Sequence, residues 1–136
     1  MSVAVTPASG RRELKQFIDL PFRLHASHPL WVPPLKLERR LFLSRRANAF
    51  FSHGEAEYFL ARRGGRVLGR ISAHVNHAFN DYQRKRWGWF GFLEFEDDQE
   101  VLEALLDTAV AWHRERGTSP TSATAGASGS MSASRR

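Results

Sequence analysis

The most informative segment of the sequence is an aromatic run, Arg86-Trp87-Gly88-Trp89-Phe90-Gly91-Phe92-Leu93-Glu94-Phe95. Both alternating sets of side chains are apolar, which is typical of a central strand covered on both faces. One predicted set contains Trp87, Trp89, Gly91, Leu93 and Phe95, and the other contains Phe90 and Phe92. Glu94 and Glu96 interrupt the second set at its carboxyl end, where open α/β sheets usually bind ligands. We therefore expect a binding site at that end.

Composition places limits on the class of protein. A chain of 136 residues has room for one domain, and the absence of cysteine excludes disulfides and cysteine-based zinc sites. No apolar run is long enough for a signal peptide or a membrane span, so we expect a cytoplasmic protein without membrane contact. The net charge of +6 comes from basic residues spread along the chain, so charge alone does not indicate nucleic-acid binding.

The first half of the chain predicts one strand and two helices. A weak alternation indicates a strand at 2–6, and apolar spacings of three and four predict a helix at 11–24, capped by Ser9 and kinked or ended at Pro21. The proline-rich segment 28–34 predicts an ordered, partly buried loop. A second helix is expected at 35–43 with Leu37 and Leu41 facing inward.

A hairpin is the clearest local signal. Strands at 57–62 and 67–76 flank Gly64-Gly65, which accept the positive φ angles of a tight turn. In the second strand we expect Val67, Gly69, Ile71, Ala73 and Val75 on one face, and Arg70, Ser72, His74 and Asn76 on the other. Residues 77–85 predict a polar linker. The last helix is predicted from Asp97, its cap, to Gly117, with an apolar face of Leu102, Leu105, Leu106, Ala109 and Trp112.

These elements give the fold class: mixed α/β (α+β), a mostly antiparallel sheet with three helices. Their order, together with Arg11 to Leu24, the His28-Pro29-Leu30-Trp31-Val32-Pro33-Pro34 loop, Phe50-Phe51-Ser52-His53, Val67-Leu68-Gly69-Arg70-Ile71 and Trp89-Phe90-Gly91-Phe92, resembles the amino-terminal half of the Gcn5-related N-acetyltransferase superfamily. The resemblance covers residues 2–117. It implies acyl transfer from acetyl-CoA or another acyl-CoA to a small-molecule amine.

The resemblance also implies roles for particular residues. The backbone of Leu93, Glu94 and Phe95 would pair with the pantetheine arm, and Glu94 or Glu96 would be the catalytic base. Independently of the resemblance, the shared face of the second hairpin strand makes Arg70 and His74 candidates for the substrate side. The superfamily's glycine-containing pyrophosphate loop is replaced by Glu96-Asp97-Asp98-Gln99-Glu100, so acyl-CoA binding is in question. We expect a partial domain at 1–117, inactive as written, and a disordered tail at 118–136.

Two alternative functions follow from the same aromatic strand. Phe90 to Phe95 fits the second part of an RNA-recognition signature, which would make residues 87–95 a platform for single-stranded RNA. Alternatively, the strand is an exposed edge of an inactive remnant that self-associates into a homo-oligomer. The histidines lack the spacing and the carboxylate partners of a metal site, so no metal is expected.

Overall fold

Ten elements of secondary structure follow one another in the computed structural model, which describes residues 2–46 and 48–120. The elements are β1 Ala4–Pro7, α1 Arg11–Leu24, α2 Lys36–Leu43, a 3-10 turn Ala49–Ser52, β2 Gly54–Arg63, β3 Arg66–Asn76, α3 His77–Gln83, β4 Trp87–Phe95, α4 Gln99–Arg116 and β5 Ser119–Pro120. The predicted class, an α+β fold with a mostly antiparallel sheet, is confirmed. The described residues contain four α-helices, one more than predicted, because 77–83 is helical.

The sheet has the order β1-β2-β3-β4-β5, with antiparallel pairing through β4. Gly64 and Gly65 have φ angles of 62° and 85°, so the predicted hairpin turn is confirmed. β5 is parallel to β4 and pairs Ser119 with Trp87 and Pro120 with Gly88. A strand therefore follows the last helix, which the sequence did not indicate.

Helices cover both faces of the sheet. On one face α4 contributes Val101, Leu105, Ala109 and Trp112 to a core with Phe59, Ala61, Leu68, Ile71, Ala73 and Val75. On the other face α1 and α2 contribute Phe17, Ile18 and Leu43 to a second core with Ala8, Tyr58, Leu60 and Phe92. β4 is thus covered on both faces, as its double apolar pattern predicts.

A bulge in β4 changes which side chains share a face. Ser72 pairs with Gly91 and Arg70 with Glu94, so two residues of β4, Phe92 and Leu93, lie opposite Ile71. Phe92 has a φ of 53°, which is uncommon outside glycine. Leu93 and Phe95 consequently pack with Phe90 against the α4 core, and the predicted sets are wrong beyond Gly91.

A second irregularity occurs in the hairpin. Ala61 pairs with Gly69 while Arg62 pairs with Val67, so Leu68 is the extra residue. Leu68 therefore packs in the α4 core and Val67 packs on the opposite face, against the core of α1 and α2. The prediction for Val67 is wrong for this reason, because a one-residue shift exchanges the faces of a strand.

The first two helices differ from expectation in their ends and faces. α1 begins after Gly10, not Ser9, and the carboxylate of Glu13 accepts from the backbone amides of both residues, at 3.3 Å each. α1 continues through Pro21 to Leu24. In α2 Leu43 is the buried residue, whereas Leu37 and Leu41 are exposed, so the predicted inward face is wrong. Leu30 and Val32 in the preceding loop are also exposed.

The later helices correct two further predictions. The polar segment after β3 forms α3, whose first turn is capped by Asn76 Oδ1 accepting from the amide of Phe79 at 2.9 Å. α4 is capped by Asp98 rather than Asp97, and Val101 takes the buried position predicted for Leu102. Gly117, with a φ of 70°, ends α4 as predicted. From 121 onward the predicted disordered tail lies outside the described residues.

Candidate functional site

An aromatic cavity lies on the face of the sheet that α1 and α2 cover. Its volume is about 430 Å³, within the usual range of about 300–1,000 Å³ for ligand pockets. Side chains from α2, the 3-10 turn, α3 and three strands line it: Phe42, Leu43, Asn48, Phe50, Phe51, Ala56, Tyr58, Ser72, His74, Asn76, Phe79, Trp89 and Phe92. The cavity is therefore suited to an apolar ligand that carries a few polar atoms.

Polar groups from β3 form one wall of this cavity. Ser72 is 1% exposed, and its Oγ has no hydrogen-bond partner within residues 2–46 and 48–120. Burial lowers the pKa of His74 to about 4, so its imidazole is neutral at pH 7. Gly91 faces both side chains, and a Cβ there would lie 3.0 Å from Ser72 Oγ and 3.4 Å from His74 Cε1. A buried hydroxyl without a partner beside a cavity can bond a ligand.

A histidine and a carboxylate meet near the end of β4. His25 Nε2 lies 2.9 Å from Glu94 Oε1, and the two side chains are 27% and 21% exposed. Trp31 packs beside the imidazole of His25, with ring centroids 5.4 Å apart. Glu94 is two residues beyond Phe92 on the same strand, on the other side of the bulge. Phe92 lines the cavity, whereas His25 and Glu94 are not among its lining residues.

Arg70 supports the bulge instead of lining the cavity. Its Nε donates to the carbonyl of Phe92 at 3.0 Å, and a terminal nitrogen donates to the carbonyl of Phe17 at 2.7 Å. Burial lowers its pKa to about 9 while Glu94 opposes that shift, so Arg70 stays charged at neutral pH. Arg70 thus joins α1 to the strained residue Phe92. Of the two side chains predicted to face a substrate, only His74 lines the cavity.

Glu96 and the start of α4 are occupied by internal ion pairs. Glu96 Oε2 accepts from Arg23 at 2.7 Å and from Arg66 at 3.1 Å. Asp98 caps α4 by accepting from the amide of Glu100 at 3.0 Å, and Arg63 bonds Asp98 and Glu100 at 2.8 and 2.6 Å. A pyrophosphate would meet three carboxylates and an amide that is already bonded. The residues at this helix start therefore do not fit that group.

The remaining predicted residues belong to the backbone edge of β4. Leu93 and Phe95 direct their side chains to the α4 core, so any contact with a ligand there would be through their backbone. β5 covers this edge at Trp87 and Gly88, and no other strand in the described residues pairs with it. Among residues 2–46 and 48–120, no strand pairs with the edge from Phe90 to Phe95, and an unpaired edge of this kind can bind an extended ligand.

Other classes of site find less support. Phe92 is buried and Phe90 packs against the α4 core, so neither side chain forms an open stacking platform for RNA. Residues 2–46 and 48–120 contain no group of three histidine, cysteine or acidic side chains placed to hold a metal. In the same residues, no helix has the length and apolar character needed to cross a membrane.

Sequence reasoning missed His25, Phe50 and Trp89 as site residues. Nothing in the sequence connects His25 with Glu94, which are 69 positions apart. The aromatic residues of the cavity look like ordinary core residues until the sheet brings them together.

Comparison with known proteins identifies two curated relatives, while no protein-family model matches the chain. The bacterial ceramide synthase of Caulobacter vibrioides is 43% identical over 116 residues, which are 85% of this chain and 30% of that protein. Protein YghO of Escherichia coli is 34% identical over 110 residues, which are 81% of this chain and 28% of that protein. The chain thus spans less than a third of the length of either relative.

Solved structures decide the fold. A tandem GNAT protein of the clavulanic acid biosynthesis pathway superposes with a TM-score of 0.65 at 20% identity, over 86% of this chain and 34% of that one. The ribosomal-protein-alanine N-acetyltransferase of Brucella melitensis superposes with a TM-score of 0.61 at 16% identity, over 95% and 83%. The fold is that of the Gcn5-related N-acetyltransferases. The predicted resemblance in fold is confirmed.

Proposed function

We propose that this domain takes part in N-acyl transfer from an acyl thioester to the amine of a long-chain amphiphile. The fold supports acyl transfer, and the name of the Caulobacter relative supports the acceptor class, because a ceramide is an amide of a long-chain amino alcohol. The single observation that carries the proposal is that β4 connects the aromatic cavity, which Phe92 lines, with the His25–Glu94 pair two residues further along the strand. The cavity would hold the apolar part of the acceptor, with its amine directed toward the pair.

The chemistry assigned to the pair is proton acceptance. The amine nitrogen attacks the thioester carbonyl, a C–N bond forms, and the C–S bond breaks. The proton lost by the nitrogen passes to the His25–Glu94 pair, and the thiolate leaves and is protonated to a thiol. General base catalysis of this kind contributes about 10²–10⁴ in rate. Glu96 is a weaker candidate for the base than Glu94, because two arginines already bind its carboxylate.

The donor would lie along the open edge of β4. A pantetheine arm is an extended chain with amide groups, and the backbone of Leu93, Glu94 and Phe95 offers matching hydrogen bonds. Acyl-CoA is the donor implied by the fold, but the start of α4 does not fit its pyrophosphate. We therefore define the donor by its thioester and pantetheine, and we assign no residue to the nucleotide end.

Ligand binding tests the acceptor class. Titration calorimetry should show that a long-chain amino alcohol binds the chain, whereas a two-carbon amino alcohol does not. Phe50→Ala should weaken this binding, because Phe50 lines the cavity. Tyr82→Ala is the control, because Tyr82 is exposed on α3. Equal binding of both amines would contradict the proposed acceptor.

Acyl transfer tests the base. Formation of the amide product from an acyl-CoA and the long-chain amine should fall about 10²-fold or more in Glu94→Gln. Glu103→Gln, on the exposed side of α4, should keep the original rate. A Glu94→Gln variant with an unchanged rate would remove Glu94 from the mechanism.

A further inference from the structure

The segment formed by residues 28–46 presents an apolar ridge to the outside. Leu30 and Val32 are each 82% exposed in the loop, and Leu35, Leu37 and Leu41 are 72%, 69% and 53% exposed at and within α2. Leu37 and Leu41 are one turn apart, so they form one outward stripe. Ordinary surface helices place such residues toward the core. Exposed apolar patches of this kind are typical of interaction surfaces.

The same segment is rich in basic residues. Residues 28–46 contain five basic residues, Lys36, Arg39, Arg40, Arg45 and Arg46, and one acid, Glu38. Arg40 and Arg46 are exposed and make no ion pair with the described part of the chain. Lys36 pairs with Asp19 and Arg45 pairs with Glu57, and the guanidinium of Arg39 lies over the ring of Phe92. The surface combines exposed leucines with cations that an anionic partner can neutralise.

We propose that residues 28–46 form a docking surface for an anionic lipid bilayer. Interfacial segments combine an apolar stripe with flanking Lys and Arg, and they lie in the headgroup region without crossing the membrane. The ridge is a projecting stripe on a short helix, which suits insertion between lipid headgroups.

The position of the ridge connects it to the cavity. α2 carries the ridge on its outer side, while Phe42 and Leu43 of the same helix line the cavity. Docking would place the cavity next to the bilayer surface, so that a membrane-borne amphiphile could enter. This link rests on the proposed function, whereas docking itself depends only on the ridge and its charges.

Vesicle co-sedimentation of the full 136-residue chain tests the proposal. The chain should bind vesicles containing phosphatidylglycerol and phosphatidylcholine, and it should bind vesicles of phosphatidylcholine alone at least ten-fold more weakly. Arg40→Gln and Arg46→Gln should each lower the partition coefficient about five-fold, since one basic residue near the surface contributes about 1 kcal/mol. Raising the salt concentration should also weaken binding of the chain to the anionic vesicles.

Substitution of the exposed leucines is the second part of the vesicle experiment. The double variant Leu37→Glu/Leu41→Glu should lower binding more than ten-fold, while Tyr82→Glu, at a still more exposed site on α3, should leave it near the original value. Circular dichroism checks that each variant is folded. No vesicle binding by the folded chain would overturn the proposal, and so would binding that ignores the arginines. The proposal would also fail if the leucine variant dissociated an oligomer, by light scattering, without changing vesicle binding.

Discussion

The two faces of the sheet are built from similar residues but are packed differently. The face under α4 is filled, with Ile71, Ala73, Val75 and Leu105 fully buried. The face under α1 and α2 contains a cavity of about 430 Å³. Each face has one buried polar atom without a partner in residues 2–46 and 48–120, Trp112 Nε1 under α4 and Ser72 Oγ beside the cavity.

This difference in packing indicates which face contributes stability and which face can bind a ligand. A densely packed core stabilises the folded state. Removing a side chain from it leaves a void, which lowers the free energy of unfolding. Side chains that line a cavity make fewer packing contacts, so they contribute less to stability and can contact a ligand instead. We therefore expect substitutions on the α4 face to change the free energy of unfolding and substitutions at the cavity to change binding.

The largest effect is expected at Leu105, which is fully buried against the sheet. Leu105→Ala should lower the free energy of unfolding by about 2–5 kcal/mol, since it removes buried methyl groups and leaves a void. Urea denaturation followed by circular dichroism measures this. The half-buried neighbour Leu106→Ala is the matched control and should cost less. Equal losses at the two positions would contradict the description of a filled core.

The next effect is a dependence of stability on pH at the cavity. His74 has a folded pKa of about 4, against its ordinary value of 6.5, because burial disfavours the charged imidazole. Between these values the unfolded chain binds more protons than the folded one, so stability falls as pH falls from about 6.5 to about 4. The loss from this group alone approaches about 3 kcal/mol.

The variant His74→Gln isolates this contribution. Urea denaturation of both proteins at pH 7, 5.5 and 4.5 should show a smaller decrease in the variant. His113 is also buried with a lowered pKa, so both proteins keep some pH dependence. Parallel curves for the two proteins would show that His74 titrates normally in the folded state.

The sequence was sufficient for features set by local chemistry. Gly64-Gly65 predicted the hairpin turn, and Gly117 predicted the end of α4, because positive φ angles favour glycine. The fold class and the resemblance followed from the order of these elements. α3 was missed because His77 to Gln83 lacks an apolar stripe, although Asn76 provides its cap.

The site was less predictable because it depends on the bulge and on contacts between distant residues. Alternation along β4 gives no sign that Phe92 and Leu93 lie opposite a single residue of β3. The pair of His25 and Glu94 needs α1 to pack across the sheet, which periodicity cannot specify. Leu37 and Leu41 were assigned inward because hydrophobic periodicity identifies a stripe but not what covers it.

A smaller difference in stability is expected between alanine substitutions at two glycines in adjacent strands, one on each face of the sheet. A Cβ at Gly69 would lie 2.8 Å from Leu105 Cδ1 and 2.9 Å from Val101 Cγ1, so Gly69→Ala should destabilise the fold by about 1–3 kcal/mol. At Gly91 the nearest atom, Ser72 Oγ, is 3.0 Å away and borders the cavity. Gly91→Ala should therefore cost less than about 1 kcal/mol by urea denaturation. A larger loss of stability in Gly91→Ala than in Gly69→Ala would mean that the cavity face tolerates an added methyl group less well.

The smallest change in the free energy of unfolding is expected at Ser72, where a substitution should weaken ligand binding without lowering stability. Its hydroxyl is buried without a partner in the described residues, and such a group destabilises the folded state. Ser72→Ala should therefore leave the free energy of unfolding unchanged or raise it by up to about 1 kcal/mol. Calorimetry should show weaker binding of the long-chain amino alcohol, because the ligand loses a hydrogen-bond partner. A less stable variant with unchanged binding would mean that Ser72 is a structural residue, and the two faces would then differ only in packing.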